Sequence, residues 1–381
     1  MHGSGYGHGV GLSQFGSHGR ALAGQGYAQI LQAYYQGVFL QECPDDPPIR
    51  VLLGERDLTG CQDVAVRTGT KALMRNLATD GTVVLGPGPY RAQYLANSGL
   101  YTLTNLSKGK AVGSYPGPIR FETSGGLLGY GHRYYRGFLT VRTVNSRVCV
   151  INRLPIECYI QGVVANEMSP SSPLEALKSQ AIAARSYARA TQRGEYFDVY
   201  PDIRDQVYGG ATSETSATNE AVAATARICA VYNGSPIIAV FHSASGDHTE
   251  DTSFAFNAST ALGSAPYLKA MRDVDPEGRS FEGPAYVNAP WIRWSGALDA
   301  NGSPLLKIGA VVAVTVLGRS PSERLTKIKV TGTQGERIIS GGYDIRRSLK
   351  TTGLRLADGS FYPAGVLPSA RVSFFGAARP S

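Results

Sequence analysis

Residues 151–190 read INRLPIECYIQGVVANEMSPSSPLEALKSQAIAARSYARA. The second half of this stretch predicts a helix. Ser172 is a good N-cap, Pro173 suits the first helical position, and Glu175 stands where a capping box needs an acid. Leu174, Leu177, Ala181, Ala184 and Ala188 recur at helical spacing as one apolar stripe, so the helix is expected to be amphipathic. Just before it, an apolar run through Val163 and Val164 ends in Glu167 and Met168. A carboxyl in that position is expected to be partly buried. Burial disfavours the charged form, which suits a general acid near neutral pH. The plainer alternative for Glu167 is a cap or a salt-bridge partner, the commoner fate of such a residue.

Upstream, residues 48–153 hold short alternating runs, IRVLLG, DVAVRT, TVVLG, PYRAQYLA, LYTLTNL, FLTVRTV and VCVIN, separated by turn residues. They predict an antiparallel β module. Nearer the start, residues 12–35 turn helical, and Gly24 and Gly26 split them into two short helices, with Gly37 closing the second. Downstream, residues 217–226 predict another helix. The run ICAVYNGSPIIAVFHSAS predicts a hairpin turning at Asn233-Gly234 as type I′. Residues 280–346 mix loops with strands such as VVAVTVLG and LTKIKVTG. The fold class is therefore α+β.

The chain's 381 residues suffice for two or three cores, and 43% hydrophobic against 17% charged residues marks a folded chain. A net charge of +8 suits an anionic polymer. The positive residues are scattered, without a run of five Lys or Arg, so nucleic acid is not an expected partner. The opening MHGSGYGHGVGLSQ has neither the basic start nor the apolar core of a signal peptide, and no apolar window is long enough for a membrane span. Cys43, Cys61, Cys149, Cys158 and Cys229 form no CxxC pair. They read equally as two disulfides, Cys43 with Cys61 and Cys149 with Cys158, or as five buried thiols.

Two further segments carry polar groups. GSGYGHGVGLSQFG (residues 3–16) sets His8, Ser13 and Gln14 on alternating glycines, which let backbone approach a ligand or another strand. It is neither a P-loop nor a credible dinucleotide turn, and unaided it reads best as a structural glycine frame. FHSASGDHTE (residues 241–250) gathers His242, Ser243, His248, Thr249 and Glu250. Its spacing matches no standard zinc motif and lacks the GxSxG elbow, so these groups are expected to line a sugar site or end a hairpin.

Taken together, the segments resemble the stage II sporulation protein D (SpoIID/LytB) family. INRLPIECYIQGVVANEMSPSSPLEALKSQAIAARSYA looks like that family's central signature. DQVYGG, TNEAVAATA, VYNGSPIIAVFHSASGDHTE and APYLKAM resemble the family's segments downstream of the signature. YRGFLTV before the signature and TGTQGERIISGGYDIRRSLKTTGLRL near the end fit too.

The resemblance implies a peptidoglycan lytic transglycosylase with Glu167 as its general acid/base. The acid would protonate the glycosidic oxygen between MurNAc and GlcNAc. Its carboxylate would then take the proton of the sugar's C6 hydroxyl, which closes a 1,6-anhydro ring. That chemistry holds no attacking water and needs no second carboxylate at glycosidase spacing. The substrate implied is glycan strands stripped of stem peptides. Binding residues implied are His8, Ser13, Gln14, Arg185, Tyr187, Gln206, Tyr208, His242, Ser243 and Thr249. Arg185 reads otherwise as a helix-surface charge. No cofactor is implied. A cell-wall amidase is the one protein partner suggested, and the location implied is extracytoplasmic.

The chain departs from the family pattern twice. GHGVGLSQ, which usually ends the domain, here opens the chain, while ARVSFFGAARPS at the other end looks like the strand that feeds into it. This implies a circularly permuted core, residues 1–37 with 150–381, around a β module at 38–149. Residues 370–376 should then lie near residues 3–12. The second departure is at the cysteines with which some relatives bind zinc. Tyr200 and Asp205 stand about there, so no metal site is expected, and Asp198, Asp202 and Asp205 read as loop carboxylates. The rival readings are a wall-binding or amidase-modifying protein without catalysis, and a hydrolase that uses water.

Overall fold

A computed structural model gives the structure of the chain and describes residues 1–45, 47–57, 63–256, 262, 264–301 and 305–374. The chain forms two compact units. The first takes residues Met1–Leu40, Ser172–Ala183 and those from Ala230 onward, and the second takes Gln41–Ser171 and Ala184–Cys229.

The second unit is built on two antiparallel sheets of six strands. In one, Pro48–Asp57 lies beside Arg147–Pro155, followed by Phe138–Val144, Ile119–Thr123, Ala72–Asn76 and Thr82–Leu85. In the other the order is Lys110–Pro116, Leu100–Asn105, Gly88–Leu95, Asp63–Thr68, Leu128–Tyr130 and Arg133–Tyr135. Strands with alternating sequence bury one face: in Leu100–Asn105 the buried residues are Tyr101, Leu103 and Asn105. The unbroken run VCVIN behaves differently, because Val148 to Asn152 are buried on both faces. Arg147–Pro155 leads straight into the helix Ile156–Glu167.

In the first unit, the helices Gln14–Leu22 and Tyr27–Tyr34 break at Gly24, where φ is +85°. The Asn233-Gly234 turn has φ of +50° and +79°, as type I′ requires, and pairs Tyr232 with Ser235. The hairpin stops there, since Phe241–His242 pairs in parallel with Leu12–Ser13 instead. A five-stranded sheet runs Phe361–Val366, Lys350–Leu356, Trp294–Leu298, His2–Gly3 and Val372–Ser373. His2 is paired with Ser373 and Gly3 with Val372, so residues 2–3 and 372–373 are adjacent strands, as expected. Residues 375 and 376 of that expectation lie outside the described residues. Trp291, Trp294, Leu325, Ile328, Val330, Ile345 and Val372 belong to the core beneath this sheet.

The helix predicted from residue 172 runs Leu174–Ala190. Pro173 takes the cap position, its carbonyl accepting from the Ala176 and Leu177 amides. The Glu175 carboxylate is held by the Tyr27 amide at 2.8 Å and Lys178 at 2.7 Å. The expected amphipathic helix proves enclosed on every side from Ser179 to Ala188. Its alanines admit close neighbours, and its polar residues Ser179, Gln180, Arg185 and Ser186 are buried with them.

The four described cysteines, Cys43, Cys149, Cys158 and Cys229, form no disulfide among the described residues, and Cys61 lies outside them. Cys149 packs with Leu52 and Ile151. Cys158 lies on the helix Ile156–Glu167. The Cys43 amide donates to the Arg227 carbonyl at 2.8 Å, Arg227 pairs with Glu42 at 2.7 Å, and the Cys43 thiol is a hydrogen-bonded neighbour of Cys229. Burial pushes the Cys229 thiol up to about 12, with the Cys43 thiol adding to it. Treatment of the reduced protein with glutathione disulfide is therefore expected to link Cys43 to Cys229, leaving two molecules of glutathione. Non-reducing peptide mapping checks this. A Cys149–Cys158 crosslink in its place would contradict this placement.

Candidate active site

Glu167 is the last residue of the helix Ile156–Glu167 and is half-buried. It stands at the negative end of the helix dipole, where a charged carboxylate is least favoured. Against that, its Oε1 accepts the Val207 amide at 2.7 Å, and a charged acceptor strengthens such a bond.

The Val207 amide is aimed by its neighbours. Gln206 is fully buried, its Oε1 accepting from the Tyr159 hydroxyl at 3.1 Å and its Nε2 donating to the Ala184 carbonyl at 3.3 Å. Tyr208, also buried, donates its hydroxyl to Asn152 Oδ1 at 2.9 Å and its amide to the Pro201 carbonyl at 3.0 Å. The Tyr208 ring lies 5.0 Å from that of Tyr159 and 5.8 Å from that of Tyr135. Beside it the Gly209 amide donates to the Gly162 carbonyl, one turn before Asn166 on the helix of Glu167. DQVYGG is thus a strap fixed on both sides of the Val207 amide, which meets Glu167.

The base of that helix is fixed by Arg185. Its guanidinium is fully buried and forks onto Glu157, Nε and Nη2 each donating at 2.7 Å, while Nη1 donates to the Ile228 carbonyl at 3.0 Å. The helix-surface alternative for Arg185 does not hold, because its donors are taken up inside the fold. Tyr187 is buried too and donates to Asp205 Oδ1 at 2.6 Å. Burial, then the Asp205 charge, raises its hydroxyl well above the ordinary tyrosine range. The three loop carboxylates each meet an arginine: Asp198 with Arg50 at 2.7 Å, Asp202 with Arg204 at 2.7 Å, and Asp205 with Arg193 at 2.5 Å. Among the described residues no cluster of three or more His, Cys, Asp or Glu could hold a metal ion.

His8, Ser13, Gln14, His242, Ser243 and Thr249 lie in the first unit. The glycine frame brings several of them together. Gly7 has φ of +116° with the His242 side chain where a Cβ would stand, and Gly9 has φ of +84° against the Arg324 guanidinium. The His8 and His242 rings are 5.5 Å apart. Burial, and then the Arg346 charge, lowers His8 to about 3, and burial with His8 beside it holds His242 well below its ordinary value. Both rings are therefore neutral near pH 7. Thr249 is buried in reciprocal bonds with Met271, and Ser243 offers its carbonyl to the Phe15 amide at 2.9 Å. Gln14 begins the helix Gln14–Leu22, half-buried.

Ser13 leads to residues that the sequence did not disclose. It caps that helix through the Gly16 amide and donates its hydroxyl to Glu282 Oε1 at 2.5 Å. Glu282 also takes the Ser245 amide at 2.5 Å and the Gly246 amide at 2.8 Å. Asp273 nearby holds Arg20 at 2.9 Å and the Tyr34 hydroxyl at 2.6 Å. Both carboxylates are fully buried. Burial, and then the Asp273 charge, raises Glu282 to about 7. No motif points to Glu282 or Asp273, which sit in an irregular stretch far along the chain from their partners.

Residues 144–232 match the model of the Stage II sporulation protein (SpoIID) family. The match runs from the β-strand before Glu167 through both helices and the strap to the strand Ile228–Tyr232. The segment that matches the SpoIID model contains Glu167, Arg185, Tyr187, Gln206 and Tyr208. Among individual proteins the chain is 34% identical over 230 residues to an uncharacterised protein of Brachyspira hyodysenteriae, covering 56% of this chain and 58% of that one. It is 28% identical over 236 residues to the stage II sporulation protein D of Bacillus subtilis, covering 57% and 62%. It is 42% identical over 120 residues to the amidase enhancer of Bacillus subtilis, covering 31% and 16%. In each case the match spans less than two thirds of the relative.

Two outcomes are expected from this geometry. Arg185→Ala leaves Glu157 without its guanidinium and is expected to cost about 3–5 kcal/mol in chemical denaturation. A loss under about 1 kcal/mol would show that the pair does not clamp the helix. For Glu282 the folded value lies above the ordinary 4.5, so the folded chain keeps the proton to higher pH. Its contribution to stability is complete below about 4.5 and is lost as pH rises to about 7. Denaturation curves of Glu282→Gln should lack this slope between those pH values, and an unchanged slope would assign it to other groups.

Proposed function

We propose that this protein is a peptidoglycan lytic transglycosylase that cleaves the MurNAc–GlcNAc bond of peptide-stripped glycan strands, with Glu167 as general acid and then general base. The observation that carries the proposal is the setting of Glu167. It is half-buried at a helix terminus and held by a backbone amide within the segment that matches the SpoIID model. A protonated Glu167 delivers its proton to the glycosidic oxygen as that bond breaks. The carboxylate so formed is stabilised by the Val207 amide and accepts the C6 hydroxyl proton as the C6 oxygen closes on C1. The sugar supplies its own nucleophile, so one carboxyl serves both steps.

Of the binding candidates, His8, Gln14 and Ser243 retain exposed surface, and we assign them to substrate contact. Ser13, Arg185, Tyr187, Gln206, Tyr208, His242 and Thr249 are buried, and we assign them to holding the frame. The pairing of His2–Gly3 with Val372–Ser373 supports a permuted core, residues 1–37 with 150–381 around the β module 38–149. A substrate of this kind places the protein outside the cytoplasm.

The likeness to the amidase enhancer favours a second reading, in which the chain modifies a cell-wall amidase without cleaving glycan. The test is to incubate purified protein with peptide-free glycan strands and analyse products by mass spectrometry beside Glu167→Gln. Products ending in 1,6-anhydro-MurNAc, reduced at least about 1000-fold in the variant, are expected. Free reducing ends would replace the mechanism with hydrolysis. Intact strands from both folded proteins would favour the amidase-modifying reading.

A further inference from the structure

The first unit contains a cavity of about 1020 Å³, lined by the ends of His2–Gly3 and Val372–Ser373 and by loops from residues 246–247, 272–293 and 319–323. Its lining is strongly cationic. Arg272, Arg279, Arg293, Arg319 and Arg371 face it against two carboxylates, Asp247 and Glu323. Two of the arginines are already neutralised, Arg371 by Asp247 and Arg279 by Asp275 and Glu277.

The other three differ. Arg319 donates only to carbonyl oxygens, of Glu323 at 2.6 Å and Val372 at 2.9 Å, which orient the guanidinium without cancelling its charge. Arg272 and Arg293 are exposed and have no carboxylate partner among the described residues. Among the described residues, three positive forks thus share one concave surface with a single unpaired acid, Glu323. A guanidinium presents parallel N–H donors that match the two oxygens of a phosphate or carboxylate. The volume lies at the upper end of the roughly 300–1,000 Å³ usual for small-molecule sites, which leaves room for several repeats of a chain rather than one ion.

We infer that this cavity binds an anionic polymer whose repeats carry oxyanions, phosphodiester or carboxylate, through Arg272, Arg293 and Arg319. Cleavage at Glu167 plays no part in it, and the site is read by binding alone.

The test titrates the full-length protein by calorimetry at low salt with poly(glycerol phosphate), poly-L-glutamate and, as a neutral control, an N-acetylglucosamine oligosaccharide. Binding of the first polymer alone assigns the phosphodiester source, and binding of the second alone assigns the carboxylate source. Either supports the site if the Arg272→Gln/Arg293→Gln double variant weakens it at least about tenfold and salt near 0.5 M abolishes it, as screening requires. Among the described residues neither arginine has a side-chain bond to lose, so the variant is expected to keep the wild-type thermal midpoint. If it does not fold, Arg293→Glu alone, expected to weaken binding at least about tenfold, decides the question. No binding of either polymer, equal binding by the variant, or equal binding of the neutral sugar would overturn the inference.

Discussion

A guanidinium cannot shed its charge inside a protein, and Arg185 is fully buried. That constraint orders the region around Glu167. The charge requires an acid, and Glu157 supplies it from the first turn of the helix that ends in Glu167. The remaining donors require carbonyls, found at Ile228 and Val222. Glu157 in turn takes the Arg227 amide. One ion pair therefore fixes the start of the Glu167 helix, a turn of the Leu174–Ala190 helix and the approach to the strand Ile228–Tyr232. Apolar packing alone would allow the helices to slide, whereas a forked guanidinium has one satisfactory geometry.

The other end of the helix is fixed by backbone. Residues 206–209 follow an irregular path, and irregular backbone holds its place only where side chains tie it down. Gln206 and Tyr208 do so by burying polar ends on opposite sides of Val207. The consequence is specific: the donor that Val207 offers Glu167 is backbone and not side chain. A substitution at position 207 that keeps the amide would leave that bond intact, while loss of either flanking anchor would misdirect it.

This explains which features are legible in the sequence. The helix from residue 174, the paired helices near the start and the type I′ turn at Asn233-Gly234 depend on local spacing and turn chemistry, and the structure has them. Strands such as Ala72–Asn76, Ile119–Thr123 and Lys350–Leu356 escape such a reading, because short runs broken by Arg, Glu or Gly carry little periodicity. The all-round burial of residues 179–188 is hidden by polar letters, since Arg185 and Gln180 look like a solvent face until their partners are known. Glu282 and Asp273 are hidden for the same reason: a buried carboxylate is defined by its surroundings, and Ser13, Arg20 and Tyr34 come from the opposite end of the chain.

Glu282 and Glu167 also show why burial alone does not make a carboxyl fit for proton transfer to a ligand. Glu282 is the more deeply buried and sits near 7, yet Ser13 and the amides of Ser245 and Gly246 occupy its oxygens. A carboxyl so enclosed can anchor a frame, but a sugar oxygen has no approach to it. Glu167 is less enclosed, and its carboxyl combines access with a fixed donor at a helix terminus. Proton transfer needs the acid within hydrogen-bond reach of the reacting oxygen. By that geometric requirement Glu282 belongs to the scaffold, whereas Glu167 is only half-buried and meets the requirement of access on which the proposed role rests.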